Sequence, residues 1–280
     1  MTGTGAHGYS DRHEATCPNP IRKKIADVMD HTLQTAIEAA NAAGEIALHY
    51  FKTNLIVELK ADHTPVTKAD RECETRIVEI LCAEFPDHGV LGEEFGEQLG
   101  NGSARWIIDP IDGTKNFIRG IPFFATLIAL EEDGEITAGV MYAPAIDALL
   151  YAQRGQGSYA NGKRVHVSDI AQLKEAMLIH GGLHDLKIRP CWQPFLHLVD
   201  VSARQRGFGD ALGHSLVMQG LAEVALEPEI KPWDVAASKI IVTEAGGRFS
   251  DFAGSPSIYS GDAVISNGRI HDEVIRILQG

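Results

Sequence analysis

Residues 106–117 read WIIDPIDGTKNF, and this stretch decides the fold. Its apolar start is typical of a buried β-strand, and the acidic residues after it place two carboxylates, Asp109 and Asp112, at the end of that strand. Pro110 between them is a rigid kink without a backbone N–H donor. Gly113 then permits a sharp turn, after which the N–H groups of a new helix could bind an anion.

This strand end has the chemistry of either a metal site or an ordinary turn. Hard divalent cations such as Mg²⁺ prefer oxygen ligands, which Asp109, Asp112 and the carbonyl of Ile111 would supply. Phosphate esters in turn need their charge neutralised in the transition state. However, Asp-Gly is a common turn pair, and an Asp before Thr can cap a helix. Taken alone, the motif favours the turn.

Further acidic residues elsewhere in the chain shift the balance toward a metal site. Glu93 and Glu94 close a second apolar run that contains Val90 and Leu91. Asp234 begins a predicted helix directly after a Pro-Trp pair, although an N-cap residue occupies the same kind of position. The interpretation of the first motif as an ordinary turn weakens because of these further acids, although an N-cap stays the favoured role for Asp234 taken alone.

Composition restricts the class of protein. The chain has 280 residues and a formal net charge of −13, with 44% hydrophobic and 22% charged residues. Such a chain is typical of a globular protein whose core needs no disulfide or structural metal. The negative charge argues against a protein that grips a nucleic-acid backbone by counterion release. A small phosphorylated substrate stays compatible with it, because bound cations can reverse the local field.

The sequence carries no signal of export or membrane insertion. Its four cysteines are scattered without a C-x-x-C pair, which favours reduced thiols. Its longest apolar stretches are far shorter than the roughly 20 residues that cross a bilayer. No charged-then-apolar signal segment opens the chain. We therefore expect a cytoplasmic protein that does not bind membranes, with a disordered tail over residues 1–19.

The periodicity of apolar residues predicts helices and strands in separate blocks. Helices are expected over residues 21–51 and 67–85, and a run of short strands between 123 and 167. After these, helices and strands alternate, and one helix is expected over about residues 184–199. Mostly antiparallel strands in blocks with helices favour an α+β layered architecture.

We expect two closely packed halves that meet near Ser168. The N-terminal α+β half, residues 20–168, would carry most candidate metal ligands. The C-terminal half, residues 169–280, would carry the residues that select the substrate. The sequence shows neither an internal repeat nor a long linker between the halves.

The motifs, in their order along the chain, resemble the inositol monophosphatase family. They are Glu93-Glu94, WIIDPIDGTKNF at 106–117, PWDVAA at 232–237 and TEAGG at 243–247. The second of these is highly specific, and the resemblance extends from about residue 30 to the end of the chain. It implies a layered αβαβα sandwich of the inositol monophosphatase and fructose-1,6-bisphosphatase type. It also implies a Mg²⁺-dependent phosphomonoesterase.

The resemblance implies which oxygen atoms hold the metal ions. Glu93, Asp109 and the Ile111 carbonyl would hold a first Mg²⁺. Asp109, Asp112 and Asp234 would hold a second, so that Asp109 bridges the two. We expect two or three Mg²⁺ ions in each active site, and Mn²⁺ is an open alternative because it accepts the same ligands.

Other residues would act on the water and the phosphate. By the same resemblance, Thr114, with Asp70 behind it, would orient the attacking water together with Glu93. Lys60 falls where members of the family keep a lysine near the metals. The backbone N–H groups of Gly113 and Thr114 would grip the phosphate. Two metals that clamp the attacking and leaving oxygens make a Ser or Cys nucleophile unnecessary.

The identity of the ester is predicted from the C-terminal half. RGFGD at 206–210 and KNFIRGIP at 115–122 resemble the histidinol-phosphate phosphatase branch of the family. L-Histidinol phosphate carries a protonated amine and an imidazole, with which Asp210 and Glu227 could form charge-assisted hydrogen bonds. Arg206 is a third candidate substrate contact. We therefore expect hydrolysis to L-histidinol, a step of histidine biosynthesis.

Several alternatives stay open. Asp210 could cap the helix that follows it, and His214 could line the pocket or only pack. Inositol 1-phosphate is the main alternative substrate, and 3′-phosphoadenosine 5′-phosphate a weaker one, because no set of base-stacking aromatic residues accompanies the motifs. A catalytically silent, metal-binding scaffold would be expected to lack Thr114 or an acidic ligand, and all of these are present. The resemblance also implies a homodimer.

Overall fold

The computed structural model of the protein describes residues 30–53, 56–60 and 65–280. The expected tail over residues 1–19 and the expected first part of the helix over 21–51 lie outside the described residues. Within them, no helix combines the length and the apolar character needed to span a bilayer.

The described helices follow the predicted blocks. Their bounds are α1 (His31–Tyr50), α2 (Lys68–Glu84), the single turn α3 (Thr114–Phe117), α4 (Leu183–Lys187), α5 (Trp192–Val201), α6 (Asp210–Met218), α7 (Pro232–Glu244) and α8 (His271–Gln279). Short 3₁₀ turns lie at Pro144–Ile146 and Leu173–Glu175.

The strands fall into two blocks, as predicted. The first block is β1 (Val57–Leu59), β2 (Pro65–Thr67), β3 (Gly89–Gly92), β4 (Gly96–Gln98), β5 (Ala104–Asp112), β6 (Ala125–Glu132), β7 (Glu135–Ala143), β8 (Ala148–Gln153), β9 (Gly157–Ala160) and β10 (Lys163–Val165). The second is β11 (Met177–His180), β12 (Arg204–Arg206), β13 (Val224–Glu227), β14 (Arg248–Ser250) and β15 (Ala263–Ser266).

These strands build two large sheets. The first has eight strands in the order β10-β9-β8-β7-β6-β5-β3-β4, and all of its pairs are antiparallel except β3 with β5. The second has five strands in the order β12-β11-β13-β15-β14, with β11 parallel to both of its neighbours. β1 and β2 form a separate antiparallel pair.

Alternating side chains on each sheet bury both of its faces. In β5, Trp106 and Ile108 pack with α1 and α2, whereas Ile107 packs on the opposite face in a cluster that includes α6 and α7. That same cluster covers the inner face of the second sheet, for example at Ile265. The outer face of the second sheet packs on α5 and α8 through residues such as Val264. The layers are therefore α, β, α, β and α, and the predicted fold is confirmed.

The prediction of one continuous helix over about residues 184–199 is wrong. The segment is divided into α4 and α5, with Pro190 between them. Proline lacks an N–H donor and disfavours helical geometry in the residue before it, so the chain turns there and starts a new helix. The short edge strand β12, which was not predicted, follows α5.

The proposed division near Ser168 falls between the two sheets, which use residues 89–165 and 177–266. One buried cluster joins residues of both, because α6 and α7 pack between the sheets. The two halves therefore share a core, and their boundary stays a prediction.

Candidate active site

Three aspartates from two neighbouring layers come together at the end of β5. Asp109 and Asp112 end this strand, and Asp234 lies in the first turn of α7. Each contributes a carboxylate oxygen, and these oxygens all lie within 4.8 Å of one another. Asp109 and Asp112 are buried, at 2% and 8% exposure.

The backbone irregularity at Pro110 explains how Asp109 and Asp112 reach one site. Residues three apart in a regular strand point to opposite faces. Here the pairing of β5 with β6 is interrupted between the two aspartates, where Pro110 has no N–H to donate. The Thr126 hydroxyl donates to the Pro110 carbonyl at 2.9 Å, and the Ile111 N–H donates to Asp109 Oδ1 at 3.1 Å. These bonds fix the kink that turns both carboxylates toward one cavity.

A left-handed glycine follows the second aspartate. Gly113 has φ of +82°, and a Cβ there would lie 2.9 Å from the carbonyl oxygen of Phe123. Only glycine fits this position without strain. The turn starts α3 and places the Thr114 hydroxyl 3.0 Å from the Ile111 carbonyl and 3.4 Å from Asp70 Oδ1.

Asp70 is buried behind Thr114 at the start of α2. Its Oδ2 accepts the Thr67 backbone N–H at 2.8 Å and the Thr67 hydroxyl at 2.6 Å. The Thr67 hydroxyl in turn accepts the Ala69 N–H at 3.1 Å, which completes a capping box. Burial raises the pKa of Asp70.

Glu93 reaches the same site from the neighbouring strand. β3 lies parallel to β5, so the carboxyl ends of both strands meet at one edge of the sheet, and the Glu93 N–H donates to the Ile108 carbonyl at 3.1 Å. Lys60 Nζ lies 2.7 Å from Glu93 Oε1 and 2.6 Å from Glu94 Oε1. Partial burial opposes the charge of Lys60, but its hydrogen bonds to both glutamates outweigh burial and raise its pKa.

Glu74 is a buried acid that the sequence reasoning missed as part of the site. It lies one turn after Asp70 on α2, and its carboxylate accepts the backbone N–H groups of Glu94 at 2.8 Å and Phe95 at 3.0 Å. It thereby fixes the segment that carries Glu93. The available signal was the spacing of Asp70 and Glu74 by four residues, which puts both on one helix face.

Burial and neighbouring negative charges disfavour the ionised form of each carboxyl group in the acidic cluster. Burial, followed by the charges of Glu93 and Asp112, raises the pKa of Asp109 well above its usual value. Burial, followed by the charges of Asp210 and Asp234, does the same to the pKa of Asp112. Burial raises the pKa of Asp234 to about 7. An all-oxygen set of buried, mutually repelling carboxylates fits divalent cations such as Mg²⁺, which would relieve this repulsion.

A second pair of acids lines the same cavity next to this cluster, and the Ala211 N–H donates to Asp112 Oδ2 at 2.9 Å. Asp210 is the first residue of α6, and the Asn116 side chain donates to its Oδ2 at 3.3 Å. Gly209, not Asp210, occupies the N-cap position, so the alternative that Asp210 caps this helix is wrong. Burial, followed by the charge of Glu227, raises the pKa of Asp210. Glu227 ends β13 and is buried.

The acids of both groups line one cavity of about 190 Å³. Its lining consists of Pro65, Glu93, Asp109, Ile111, Asp112, Gly113, Thr114, Lys115, Asp210, His214, Glu227, Glu229, Ile230 and Asp234. Asp70 and Lys60 lie behind this surface, where they contact Thr114 and Glu93.

The structure does not bring Arg206 to this cavity. Arg206 is exposed on the edge strand β12, and its guanidinium donates to the carbonyl of Gln205 at 2.8 Å. The glycines after it let the chain turn back toward α6, so Asp210 enters the cavity wall while Arg206 stays at the edge of the second sheet.

Comparison with known families agrees with this site. A family model described as the inositol monophosphatase family matches residues 28–280. The chain belongs to the inositol monophosphatase family. The motifs that suggested this membership include the ends of β3 and β5 and the start of α7, which surround the acidic cluster.

Individual members of the family cover nearly the whole chain. A histidinol-phosphatase of Mycobacterium tuberculosis is 41% identical over 249 residues, which cover 87% of this chain and 96% of that protein. A histidinol-phosphatase of Chlorobaculum parvum is 43% identical over 239 residues, which cover 85% of this chain and 92% of that protein. The crystal structure of extragenic suppressor protein suhB from Bartonella henselae has a TM-score of 0.84 at 34% identity, covering 89% of this chain and 99% of that one.

These relationships confirm the predicted class of reaction. As an inositol monophosphatase family member with phosphatases among its relatives, the chain is a phosphoric monoester hydrolase. The alternative of a catalytically silent scaffold is set aside, since Thr114 and the acids Glu93, Asp109, Asp112 and Asp234 all line one cavity.

Proposed function

We propose that the protein hydrolyses L-histidinol phosphate to L-histidinol and inorganic phosphate, with Mg²⁺ ions in the acidic cluster. One observation carries the choice of ester: Asp210, an accessible acid in the cavity lining, lies directly beside the turn of Gly113. A Cβ built on Gly113 would be 3.5 Å from Asp210 Oδ2. An ester bound with its phosphate at this turn would therefore place its alcohol part against a carboxylate, which favours a cationic group.

The metal ligands follow from the residues that meet at the cavity. Glu93, Asp109, Asp112, Asp234 and the Ile111 carbonyl would hold two or three Mg²⁺ ions, and Mn²⁺ accepts the same oxygen ligands. When bound, the metals neutralise charge on the phosphate and lower the pKa of a coordinated water. The protein supplies the fixed orientation of the ligands, through the Pro110 kink and the capping contacts of Asp70 and Glu74.

The residues around the metals would orient the water and the ester. The Thr114 hydroxyl, fixed between the Ile111 carbonyl and Asp70, would orient the attacking water together with Glu93. Lys60 holds Glu93 and Glu94 in place by its paired contacts. The backbone N–H groups of Gly113 and Thr114 would bind the phosphate oxygens.

The alcohol part of the ester would bind the neighbouring pair of acids. Asp210 and Glu227 would accept hydrogen bonds from the ammonium and the imidazole of L-histidinol phosphate. Charge-assisted hydrogen bonds of this kind are about twice as strong as neutral ones. The hydroxyl groups of inositol 1-phosphate would leave the two carboxylates less well compensated. The names of the two relatives support the same choice.

A panel of esters tests the proposal. Phosphate release would be measured with Mg²⁺ from L-histidinol phosphate, from the D and L forms of inositol 1-phosphate, and from 3′-phosphoadenosine 5′-phosphate. We expect kcat/KM to be highest for L-histidinol phosphate. A preference of more than about tenfold for an inositol phosphate, equal to about 1.4 kcal/mol, would replace the proposed substrate.

The oligomeric state and the partners stay predictions. The expected homodimer would be seen as twice the chain mass in light scattering after gel filtration. The expected lack of nucleic-acid binding would be seen as unchanged mobility of labelled DNA and RNA at low salt, where electrostatic binding is strongest.

A further inference from the structure

Two buried polar atoms face each other behind the wall that would bind the alcohol. His214 Nε2 lies 3.4 Å from Glu227 Oε1, and the two side chains are only 1% and 7% exposed. Both atoms are sealed from solvent, and neither has a hydrogen-bond partner of good geometry within the described part of the chain. Buried polar atoms without partners cost free energy, so a facing pair of this kind needs an explanation.

The imidazole of His214 is anchored on its other side. Its Nδ1 lies 3.0 Å from the Ser238 hydroxyl. Ser238 lies one turn after Asp234 on α7, and His214 lies one turn after Asp210 on α6. The ring therefore connects the helix that carries a candidate metal ligand to the helix that carries Asp210, with Glu227 as the third element.

The donors and acceptors around the neutral imidazole ring favour one tautomer. If Nδ1 carried the proton of the neutral ring, Nε2 would present a lone pair to the Glu227 carboxylate, and the two would repel. If the Ser238 hydroxyl donates to Nδ1, the proton lies on Nε2 and points toward Glu227 Oε1. Of the two neutral tautomers, only this one uses all three groups favourably.

The opposite side of the Glu227 carboxylate is closed by backbone. A Cβ built on Gly181 would collide with Glu227 Oε2, so this carboxylate packs directly against the Gly181 main chain. With Gly181 on one side and His214 on the other, Glu227 has little freedom to rotate. Asp210 is held independently, by the Asn116 side chain.

We propose that His214 is a positioning residue for substrate selection, which holds the Glu227 carboxylate in the orientation that recognises a cationic leaving group. The inference rests on the proposed function. His214 lies in the cavity lining, but its Nε2 is buried against Glu227 Oε1, so we assign it no direct polar contact with the ester. Its contribution should therefore appear with cationic esters and be absent with an uncharged aryl phosphate.

The test compares two His214 variants with a matched control. H214F fills the same volume without either nitrogen, and H214Q keeps an N–H donor near the position of Nε2. The control is H271F: His271 is also buried, and its ring nitrogens lie 2.9 Å from the Ser250 hydroxyl and 2.8 Å from the Ser266 hydroxyl. His271 does not line the cavity. KM, kcat and melting temperature would be measured with L-histidinol phosphate and p-nitrophenyl phosphate.

We expect H214F to raise KM for L-histidinol phosphate by roughly tenfold or more, as for a lost hydrogen bond to a charged group. Its kcat/KM for p-nitrophenyl phosphate should change less than about threefold. H214Q should restore most of the difference, and H271F should lower the melting temperature without changing the ratio of the two esters. An equal loss with both esters in H214F, or an unchanged ratio, would overturn the proposal.

The design separates this inference from the proposed function. If H214F does not fold, H214Q and S238A decide, since S238A removes the anchor of the ring and should shift the same ratio. If the wild-type protein shows no preference for the cationic ester, the proposed substrate fails first. If E227Q removes that preference while H214F, H214Q and S238A all keep it, only the role of His214 fails.

Discussion

Two adjoining groups of acids form two walls of the cavity, and they are built differently. On one wall, Asp109, Asp112 and Asp234 lie close together, and burial with the charges of neighbouring acids raises the pKa of each. On the other wall, Asp210 and Glu227 each have a separate neighbour, Asn116 and His214. The first wall needs bound cations whatever the ester is. The second can be neutralised by the ester itself, so chemistry and selection should be separable by mutation.

The largest expected effect is a loss of turnover on the first wall. D112N removes a proposed metal ligand and keeps the shape of the side chain, so we expect kcat/KM to fall about 10²- to 10³-fold for every ester. The fold should persist, because the change removes a charge that is repelled by its neighbours. Phosphate release and circular dichroism would check both statements. A near wild-type rate would show that the metals bind elsewhere.

A smaller loss is expected behind the same wall. E74Q replaces one of the two oxygens that accept the N–H groups of Glu94 and Phe95, which should loosen Glu93 and cost about 10- to 100-fold in metal affinity or activity. The Mg²⁺ concentration for half-maximal activity should rise. E72Q is the matched control, because Glu72 lies on the same helix but pairs at the surface with Lys68. An equal effect of both variants would contradict a specific role for Glu74.

On the second wall we expect a change in substrate preference without a loss of catalytic activity. D210N keeps the size of the side chain but removes its charge. It should lower kcat/KM for L-histidinol phosphate by roughly tenfold relative to p-nitrophenyl phosphate. Steady-state kinetics with both esters give this ratio directly. If kcat/KM fell equally for both esters, Asp210 would act with the first wall, and the separation of the two walls would be wrong.

The first wall also predicts how the stability of the metal-free protein depends on pH. The pKa of Asp234 rises from its ordinary 3.8 to about 7 in the folded protein. The folded state therefore binds the proton more tightly than the unfolded state, and this stabilisation is complete below about pH 4 and lost as pH rises through about 7. Between about pH 4 and pH 7, the melting temperature of the metal-free wild-type protein should fall relative to that of D234N. Added Mg²⁺ should restore the melting temperature. A parallel pH dependence of both proteins would contradict the shift.

The smallest expected effect concerns the backbone of the second wall. Asp210 has φ of +51°, a left-handed conformation that residues with a Cβ rarely adopt. D210A and D210G both remove the carboxylate, but only glycine relieves the backbone strain. D210G should therefore be more stable than D210A by about 1 kcal/mol in urea unfolding. Equal stability would show that this conformation carries no strain.

The first wall was more predictable from sequence than the second. Asp109 and Asp112 belong to one local motif, whose strand, proline and glycine each have a direct structural meaning. Asp234 could be assigned to the site only from the order of the motifs, because only the fold brings α7 to the end of β5. Glu74 was missed because a buried acid on a helix has the same sequence appearance as one placed by the helix dipole.

The second wall depends on tertiary contacts that no local pattern contains. Arg206 and Asp210 are close in sequence, yet an edge strand and a glycine turn separate them, so only Asp210 lines the cavity. His214 has no neighbour in sequence that predicts its contact with Glu227. Pro190, by contrast, was a readable signal for the end of α4 that the helical periodicity obscured.

The most direct test of the central claim is phosphate release from L-histidinol phosphate by the protein after its metals are removed by a chelator. Our prediction is no turnover in the stripped protein and recovery of turnover when Mg²⁺ is returned, with D112N failing to recover under the same conditions. Full turnover without any metal, or none with Mg²⁺ in the intact wild-type protein, would contradict it.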